Sequence, residues 1–181
     1  MNISNVLTTA RIFLSPFFIL FLKLGVNKKY FNHFALLIFV LASITDFLDG
    51  YLARKNKKTT NLGKFLDPLA DKILTTAAFL CFLELKLISI WVVFIVFVRE
   101  FLVIFIRLIA SKKGIVIAAN FWGKLKTVTQ IIAIILTLVF LIKKNNFLNQ
   151  FYNFSIYTST FITALSGLIY ILKNKNLLKN S

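Results

Sequence analysis

Long apolar runs separated by short basic or polar segments dominate the chain. Most of these runs approach the roughly 20 residues that a helix needs to cross a bilayer, and hydrophobic residues make up 59% of the sequence. The pattern predicts an all-α integral membrane protein with six transmembrane helices, preceded by a short N-terminal interfacial helix. The predicted spans cover approximately residues 12–22, 31–53, 63–84, 87–110, 120–142 and 151–172.

Composition narrows the class of protein further. A mean hydropathy of +0.83 over 181 residues is not that of a soluble protein, and the length favours one domain covering residues 1–181. The net charge is +16, which in a soluble protein would favour a nucleic-acid partner. Here the basic residues lie at the ends of apolar runs. The expected partners are therefore anionic lipid headgroups and phosphorylated substrates, and a nucleic-acid partner is not expected.

The distribution of basic residues also predicts an orientation. Residues 54–64, residues 111–126 and the C-terminal tail carry twelve lysines and arginines, against six in the connections on the opposite side. The positive-inside rule therefore predicts that the first set faces the cytoplasm.

All four aspartates lie within 26 residues, which is unexpected in so apolar a chain. On helices, Asp46 and Asp49 share one face, and Asp67 and Asp71 share another. Carboxylates inside membrane segments are costly and usually functional. If the two faces meet, four negative charges converge and need a cation, for which Mg²⁺ or Mn²⁺ is suited, and two such ions are expected.

The complete pattern D-x2-D-G-x2-A-R-x8-G-x3-D-x3-D resembles the signature of the CDP-alcohol phosphotransferase family. The resemblance implies a membrane enzyme, expected to be a homodimer, that moves a phosphatidyl group from CDP-diacylglycerol to an alcohol and releases CMP. It implies that Asp46, Asp49 and Asp67 hold the metal ions, with Asp71 nearby as a further ligand and as the base for the acceptor hydroxyl. The donor would contact the remaining signature residues, Gly50, Ala53, Arg54 and Gly63.

The N-terminal segment has two interpretations. Asn5, Thr8 and Arg11 fall three residues apart on one side of a helix, and that helix either lies at the membrane surface or turns this face to the active site. The arrangement resembles the N-terminus of the phosphatidylglycerophosphate synthase branch of the family. That resemblance favours the second interpretation and adds Asn5 and Thr8 to the expected donor site.

Basic residues in the second half of the chain resemble the same branch, whose acceptor is sn-glycerol 3-phosphate. A phosphate dianion needs several cations, and arginine suits bidentate binding. The predicted acceptor site, at the cytoplasmic ends of spans four and five, comprises Arg99, Arg107, Lys124 and Lys126. Glu100 and Arg107 share a face seven residues apart, so Glu100 is expected to orient Arg107. Alternatively, the two arginines only extend to the interface or pair with Glu100 structurally.

Other functions stay open at this point. A related synthase would use phosphatidylglycerol, inositol phosphate or serine as the acceptor, and the signature does not exclude these. Outside the enzymes, a divalent-cation or proton-coupled transporter also carries intramembrane acids. The predicted acids, however, lie near one membrane face, and the chain lacks inverted halves. In a bacterial cell the protein is expected in the inner membrane, with its active site facing the cytoplasm.

Overall fold

The computed structural model describes the backbone of residues 3–56, 61–115, 117 and 121–175, and the side chains of residues 10–45, 72–115, 117 and 121–175. Within these residues it contains six helices and no strand, so the all-α, six-helix prediction is confirmed. The helices are α1 (Ile3–Asn27), α2 (Tyr30–Asn56), α3 (Asn61–Glu84), α4 (Ile90–Lys112), α5 (Phe121–Ile142) and α6 (Asn146–Lys173).

Judged on the residues with described side chains, three helices are long and apolar enough to cross a membrane: α1 (over Ala10–Asn27), α5 and α6. In α2 the sequence is largely apolar from Tyr30 to Thr45, and the first aspartate of the signature follows at Asp46. Every 18-residue stretch of α4 contains two arginines and a glutamate. These three charged residues of α4 are ones to which the sequence assigns a role at the acceptor site.

The expected short N-terminal helix is not a separate element. Residues 3–27 form one continuous helix of 25 residues, with Pro16 in its interior. Proline lacks a backbone N–H, which costs one helical hydrogen bond without ending the helix here. The polar N-terminal face and the first apolar run therefore belong to the same rigid element.

Side-chain caps move two helix boundaries from their predicted positions. At the start of α4, Lys86 adopts a left-handed φ of 56° and Ser89 Oγ accepts from the Trp91 N–H at 3.3 Å, so the helix begins at Ile90. At the start of α6, Asn145 Oδ1 accepts from the Leu148 N–H at 2.7 Å. This cap lets residues 146–150 join the helix rather than the predicted loop.

The helices pack around a shared apolar core. α1 packs against α2 and α3, α5 against α6 and α2, and α4 against α6. Side chains from all six helices contribute to one buried cluster, including Phe18, Phe39, Phe79, Val92, Ile134 and Ile156. Many large apolar side chains face outward instead, as they do when lipid replaces water around a protein. The assignment of residues 1–181 to a single domain stays a prediction.

One polar contact ties together three helices near the start of α2. The buried Asn32 side chain donates from Nδ2 to the carbonyl oxygens of Gly25 in α1 and Leu141 in α5, both at 3.4 Å. A Cβ on Gly25 would lie only 1.9 Å from Asn32 Oδ1. Glycine is therefore required there for Asn32 to reach both carbonyls.

Candidate active site

The signature lies on two helices that the structure describes only along the backbone. Asp46 and Asp49 occupy the second half of α2, and Asp67 and Asp71 are the seventh and eleventh residues of α3. The helical spacing within each pair is therefore confirmed. The predicted metal and donor side chains lie outside the described ones, so their roles stay predictions: Asn5, Thr8, Asp46, Asp49, Gly50, Ala53, Arg54, Gly63, Asp67 and Asp71.

Because α3 begins at Asn61, Pro68 lies in the interior of the helix rather than in its first turn. Lys72, directly after Asp71, is consequently in the middle of α3.

Burial of Arg11 bears on the two interpretations of the N-terminal segment. Arg11 is 3% exposed, and Ser15 Oγ donates to its carbonyl oxygen at 2.9 Å. The helix face that Arg11 shares with Asn5 and Thr8 therefore turns toward protein at this position. Its helix, α1, packs against both helices of the signature. These observations favour the interpretation that this face contributes to the active site.

The described side chains bring four charged groups together in the interior, which we call the Glu100 cluster: Lys72, Arg99, Glu100 and Lys126. Glu100 is 14% exposed. Its Oε2 accepts from Lys72 Nζ of α3, and its Oε1 accepts from Lys126 Nζ of α5. Arg99 Nη1 donates to the same Oε1 at 3.3 Å. One carboxylate on α4 thus holds cations from three helices.

Contacts with α5 and α6 fix the Arg99 side chain. Its Nε donates to Ser166 Oγ of α6 at 3.0 Å, and Ser166 Oγ donates to the Thr163 carbonyl oxygen at 2.9 Å. A Cβ on Gly167 would lie 3.0 Å from Arg99 Cγ, and one on Gly123 would lie 3.7 Å from Nη2. The arginine therefore passes close to two helices at positions without side chains.

The structure divides the four predicted acceptor cations into two groups. Arg99 and Lys126 belong to the Glu100 cluster and are buried, whereas Arg107 and Lys124 are exposed. The expected pairing of Glu100 with Arg107 is wrong, since Arg107 Nε donates to Tyr170 Oη at 3.4 Å. Glu100 and Arg107 are seven residues apart, which is about 10 Å along the helix axis. Cations from neighbouring helices lie closer to Glu100 and pair with it instead.

The cluster is also deeper than expected. Arg99 and Glu100 are the tenth and eleventh residues of α4, in the middle of the helix rather than at the end where the acceptor site was predicted. Lys126 lies in the second turn of α5, and Gln130, one turn further, is buried and donates to Thr163 Oγ1 at 3.2 Å. Both side chains are buried and are four residues apart, so they lie on the same face of α5.

Lys72 is absent from the predicted acceptor site. Its signal in the sequence is its place directly after Asp71 inside an apolar helix, where a second charge has a cost. Glu100 is similarly the single acid of α4. Neither signal shows that the two residues meet, because they are 28 positions apart on different helices.

Electrostatics give the cluster a chemical preference. Three cations and one carboxylate carry a formal charge of +2, and the interior of a membrane protein screens charge poorly. A ligand with two negative charges would balance it, and ammonium and guanidinium groups both donate well to phosphate oxygens. The cluster is therefore suited to binding a phosphate dianion.

Comparisons with known proteins agree with this chemistry. Residues 1–169 match the family model of the CDP-alcohol phosphatidyltransferases. A Bacillus subtilis protein named CDP-diacylglycerol–glycerol-3-phosphate 3-phosphatidyltransferase is 38% identical over 190 aligned positions, which cover 99% of this chain and 98% of the relative.

Two further relatives carry the same name. The Haemophilus influenzae protein is 39% identical over 138 positions, covering 74% of this chain and 73% of the relative. The Rickettsia typhi protein is 33% identical over 172 positions, covering 93% of this chain and 94% of the relative. The similarity thus extends over nearly the whole length of the chain and beyond the aspartate signature.

Proposed function

Because the chain belongs to the CDP-alcohol phosphatidyltransferase family, we propose that it transfers the phosphatidyl group of CDP-diacylglycerol to sn-glycerol 3-phosphate. The products are phosphatidylglycerophosphate and CMP. This is the reaction for which its relatives from Bacillus subtilis and Haemophilus influenzae are named.

The observation that carries the choice of acceptor is the Glu100 cluster. A neutral alcohol such as glycerol or inositol would leave its formal charge of +2 uncompensated in the interior. A phosphate dianion would balance that charge and accept charge-assisted hydrogen bonds, each contributing about 1.5–3 kcal/mol. Arg107 and Lys124, which are exposed, would then attract the acceptor before it enters.

The donor side of the proposal rests on the signature. Asp46, Asp49, Asp67 and Asp71 supply a set of hard oxygen ligands that fits two Mg²⁺ or Mn²⁺ ions. When bound, the ions would neutralise the donor pyrophosphate and stabilise the leaving CMP. Among the side chains that the structure describes, no group of three or more potential ligands occurs.

The remaining signature and N-terminal residues have roles in binding the donor. Gly50, Ala53 and Gly63 leave room for the cytidine, and Arg54 donates to a donor phosphate. Asn5 and Thr8 provide polar contacts from α1, which packs against both signature helices. The acyl chains stay in the bilayer.

Transfer is a single displacement in this proposal. The acceptor hydroxyl oxygen forms a bond to the phosphatidyl phosphorus, the bond from that phosphorus to CMP breaks, and Asp71 takes the hydroxyl proton. No serine, cysteine or histidine occurs within the signature to form a covalent intermediate. We further propose a homodimer in the bacterial inner membrane, with the site open to the cytoplasm, where the positive-inside rule places it.

The test is to supply purified protein with CDP-diacylglycerol, Mg²⁺ and a panel of acceptors, and to identify the lipid product by mass spectrometry. Phosphatidylglycerophosphate should form from glycerol 3-phosphate, with far less product from glycerol, serine, inositol phosphate or phosphatidylglycerol. Chelation should stop CMP release, and Asp71→Asn should bind the donor without turnover. Faster use of serine, inositol phosphate or phosphatidylglycerol would contradict the assignment.

A further inference from the structure

Glu100 holds two ammonium groups on different oxygens of one carboxylate. Lys72 Nζ of α3 contacts Oε2, and Lys126 Nζ of α5 contacts Oε1. Without the carboxylate between them, these ammonium groups and the Arg99 guanidinium would repel one another in a poorly screened interior. Glu100 therefore sets the separation of the cations.

The cations keep hydrogen-bond donors for a ligand. An ammonium group has three N–H donors, and the contacts among the described side chains use one from each lysine. Arg99 uses Nε on Ser166 and Nη1 on Glu100, and its Nη2 lies near Gly123, 3.7 Å from where a Cβ on that glycine would be. Counting only contacts among the described side chains, several donors from three helices are thus unused around one carboxylate.

We propose that Glu100 is a positioning residue for the acceptor phosphate, and that it makes Lys72 a further member of the acceptor site. It holds Lys72 and Lys126 where both can donate to one phosphate group. This inference rests on the proposed function and deepens it. Since Lys72 follows Asp71 on α3, the same contact links the acceptor site to the helix of the proposed base.

A positioning role and a purely electrostatic role predict opposite results. If Glu100 only lowered the positive charge, its neutralisation would raise the cluster to +3 and tighten phosphate binding. If Glu100 positions the lysines, its neutralisation lets them separate, and the acceptor must then order them itself, which weakens its binding. The change in the acceptor KM therefore distinguishes the two roles by its sign.

The experiment compares Glu100→Gln, Glu100→Asp and Lys72→Gln with the control Glu84→Gln, which alters the chain's other glutamate. The KM of each substrate and kcat are measured for every variant. Glu100→Gln should raise the acceptor KM about tenfold or more, which corresponds to loss of one charge-assisted bond, and leave the donor KM within about twofold. Glu100→Asp, which keeps the charge with a shorter reach, should recover part of the loss. Glu84→Gln should behave as the wild type.

A double variant tests whether Lys72 and Glu100 affect acceptor binding through their contact with each other. Lys72→Gln should raise the acceptor KM, and Lys72→Gln/Glu100→Gln should raise it little further, because both changes remove the same contact. Additive effects, an unchanged acceptor KM or a lower one in Glu100→Gln would overturn the proposal. If Glu100→Gln does not fold, a normal acceptor KM in Lys72→Gln would overturn it equally.

Binding of inorganic phosphate separates this inference from the proposed function. Phosphate should protect the wild-type protein against thermal unfolding, and Glu100→Gln should lose that protection. If the wild type uses a different acceptor but shows this Glu100-dependent protection, the proposed function fails and the positioning role stands. If phosphate does not protect the wild type at all, both are overturned.

Discussion

The chain has two glutamates, and their surroundings differ greatly. Glu84, at the end of α3, has a side chain that is 60% exposed and pairs with the exposed Lys23 of α1 at 3.2 Å. Glu100, in the middle of α4, is 14% exposed and contacts three cations. The first is a surface ion pair between neighbouring helices, and the second joins helices α3, α4 and α5 in the interior.

The difference between the two glutamates indicates which charged residues of a membrane protein have a function. An exposed ion pair adds little to the stability of the fold, because water and salt screen the attraction between its charges. Its two side chains also lose conformational freedom when they pair. A buried group of charges costs desolvation energy, so hydrophobic residues would often be at least as stabilising in its place. The Glu100 cluster is therefore better explained by ligand binding than by stability, and substitutions at the two locations should have different consequences.

The largest effect is expected from Arg99→Met, which keeps an apolar stem and removes the guanidinium. Two charge-assisted bonds to the acceptor would be lost, at about 1.5–3 kcal/mol each, so kcat/KM for the acceptor should fall about a hundredfold or more. The matched change Lys23→Met should leave it within about twofold, since exposed pairs contribute little. Steady-state kinetics with varied glycerol 3-phosphate measure both. Equal losses of kcat/KM in Arg99→Met and Lys23→Met would contradict the view that only the buried cluster binds the acceptor.

Gly167→Ala should give a smaller effect through packing. The new Cβ would lie 3.0 Å from Arg99 Cγ, so the arginine stem or α6 must shift. Such overpacking costs typically about 1–3 kcal/mol of unfolding free energy. Gly123→Ala is the control, because its Cβ would lie at an ordinary 3.7 Å from Arg99 Nη2.

Thermal unfolding in detergent, followed by the acceptor KM, compares the two glycine variants. Gly167→Ala should lower the unfolding temperature more and raise the acceptor KM, because it displaces Arg99. A larger fall in unfolding temperature for Gly123→Ala than for Gly167→Ala would contradict the close packing of Arg99 against α6.

Gly25→Ala should affect stability without affecting the acceptor. Its Cβ would force Asn32 away from the carbonyl oxygens of Gly25 and Leu141. Loss of these long hydrogen bonds should cost about 1 kcal/mol of stability. The exposed neighbour Val26 offers the control Val26→Ala. The unfolding temperature should fall for Gly25→Ala alone, with an unchanged acceptor KM in both variants, and a raised KM would couple this contact to the active site.

The smallest effect is expected from Lys23→Gln, which breaks the exposed ion pair with Glu84. Such pairs typically contribute about 0.2–1 kcal/mol, and less at high salt. Unfolding temperatures of wild type and variant, measured at low and high salt, should therefore differ slightly at low salt and converge at high salt. A large difference that persists at high salt would show that exposure alone does not separate the two glutamates.

Much of the architecture could be predicted from local sequence. The six helices follow from the apolar runs, because a chain in lipid must satisfy its backbone hydrogen bonds internally. The signature spacing predicted which aspartates share a helix face, and the helical backbone at Asp46, Asp49, Asp67 and Asp71 agrees with it. The precise helix ends were less predictable, because they depend on caps such as those of Ser89 and Asn145.

The acceptor site was predicted only in part. Residue type alone indicated that Arg99 and Lys126 bind phosphate, and the structure does bring them together. Helical periodicity also suggested that Glu100 pairs with Arg107 on its own helix, which is wrong. Periodicity describes which residues share a face of one helix, and it contains no information about the neighbouring helices that supply competing partners.

The sequence by itself determined that this is an α-helical membrane protein of the CDP-alcohol phosphatidyltransferase family, because hydrophobic length and signature spacing are local properties of the chain. The tertiary structure decided that Lys72, Arg99 and Lys126 meet at Glu100. It also decided that Glu84 stays at the surface, where it pairs with Lys23. These pairings depend on how α3, α4 and α5 pack, and the buried carboxylate is where their charges are compensated.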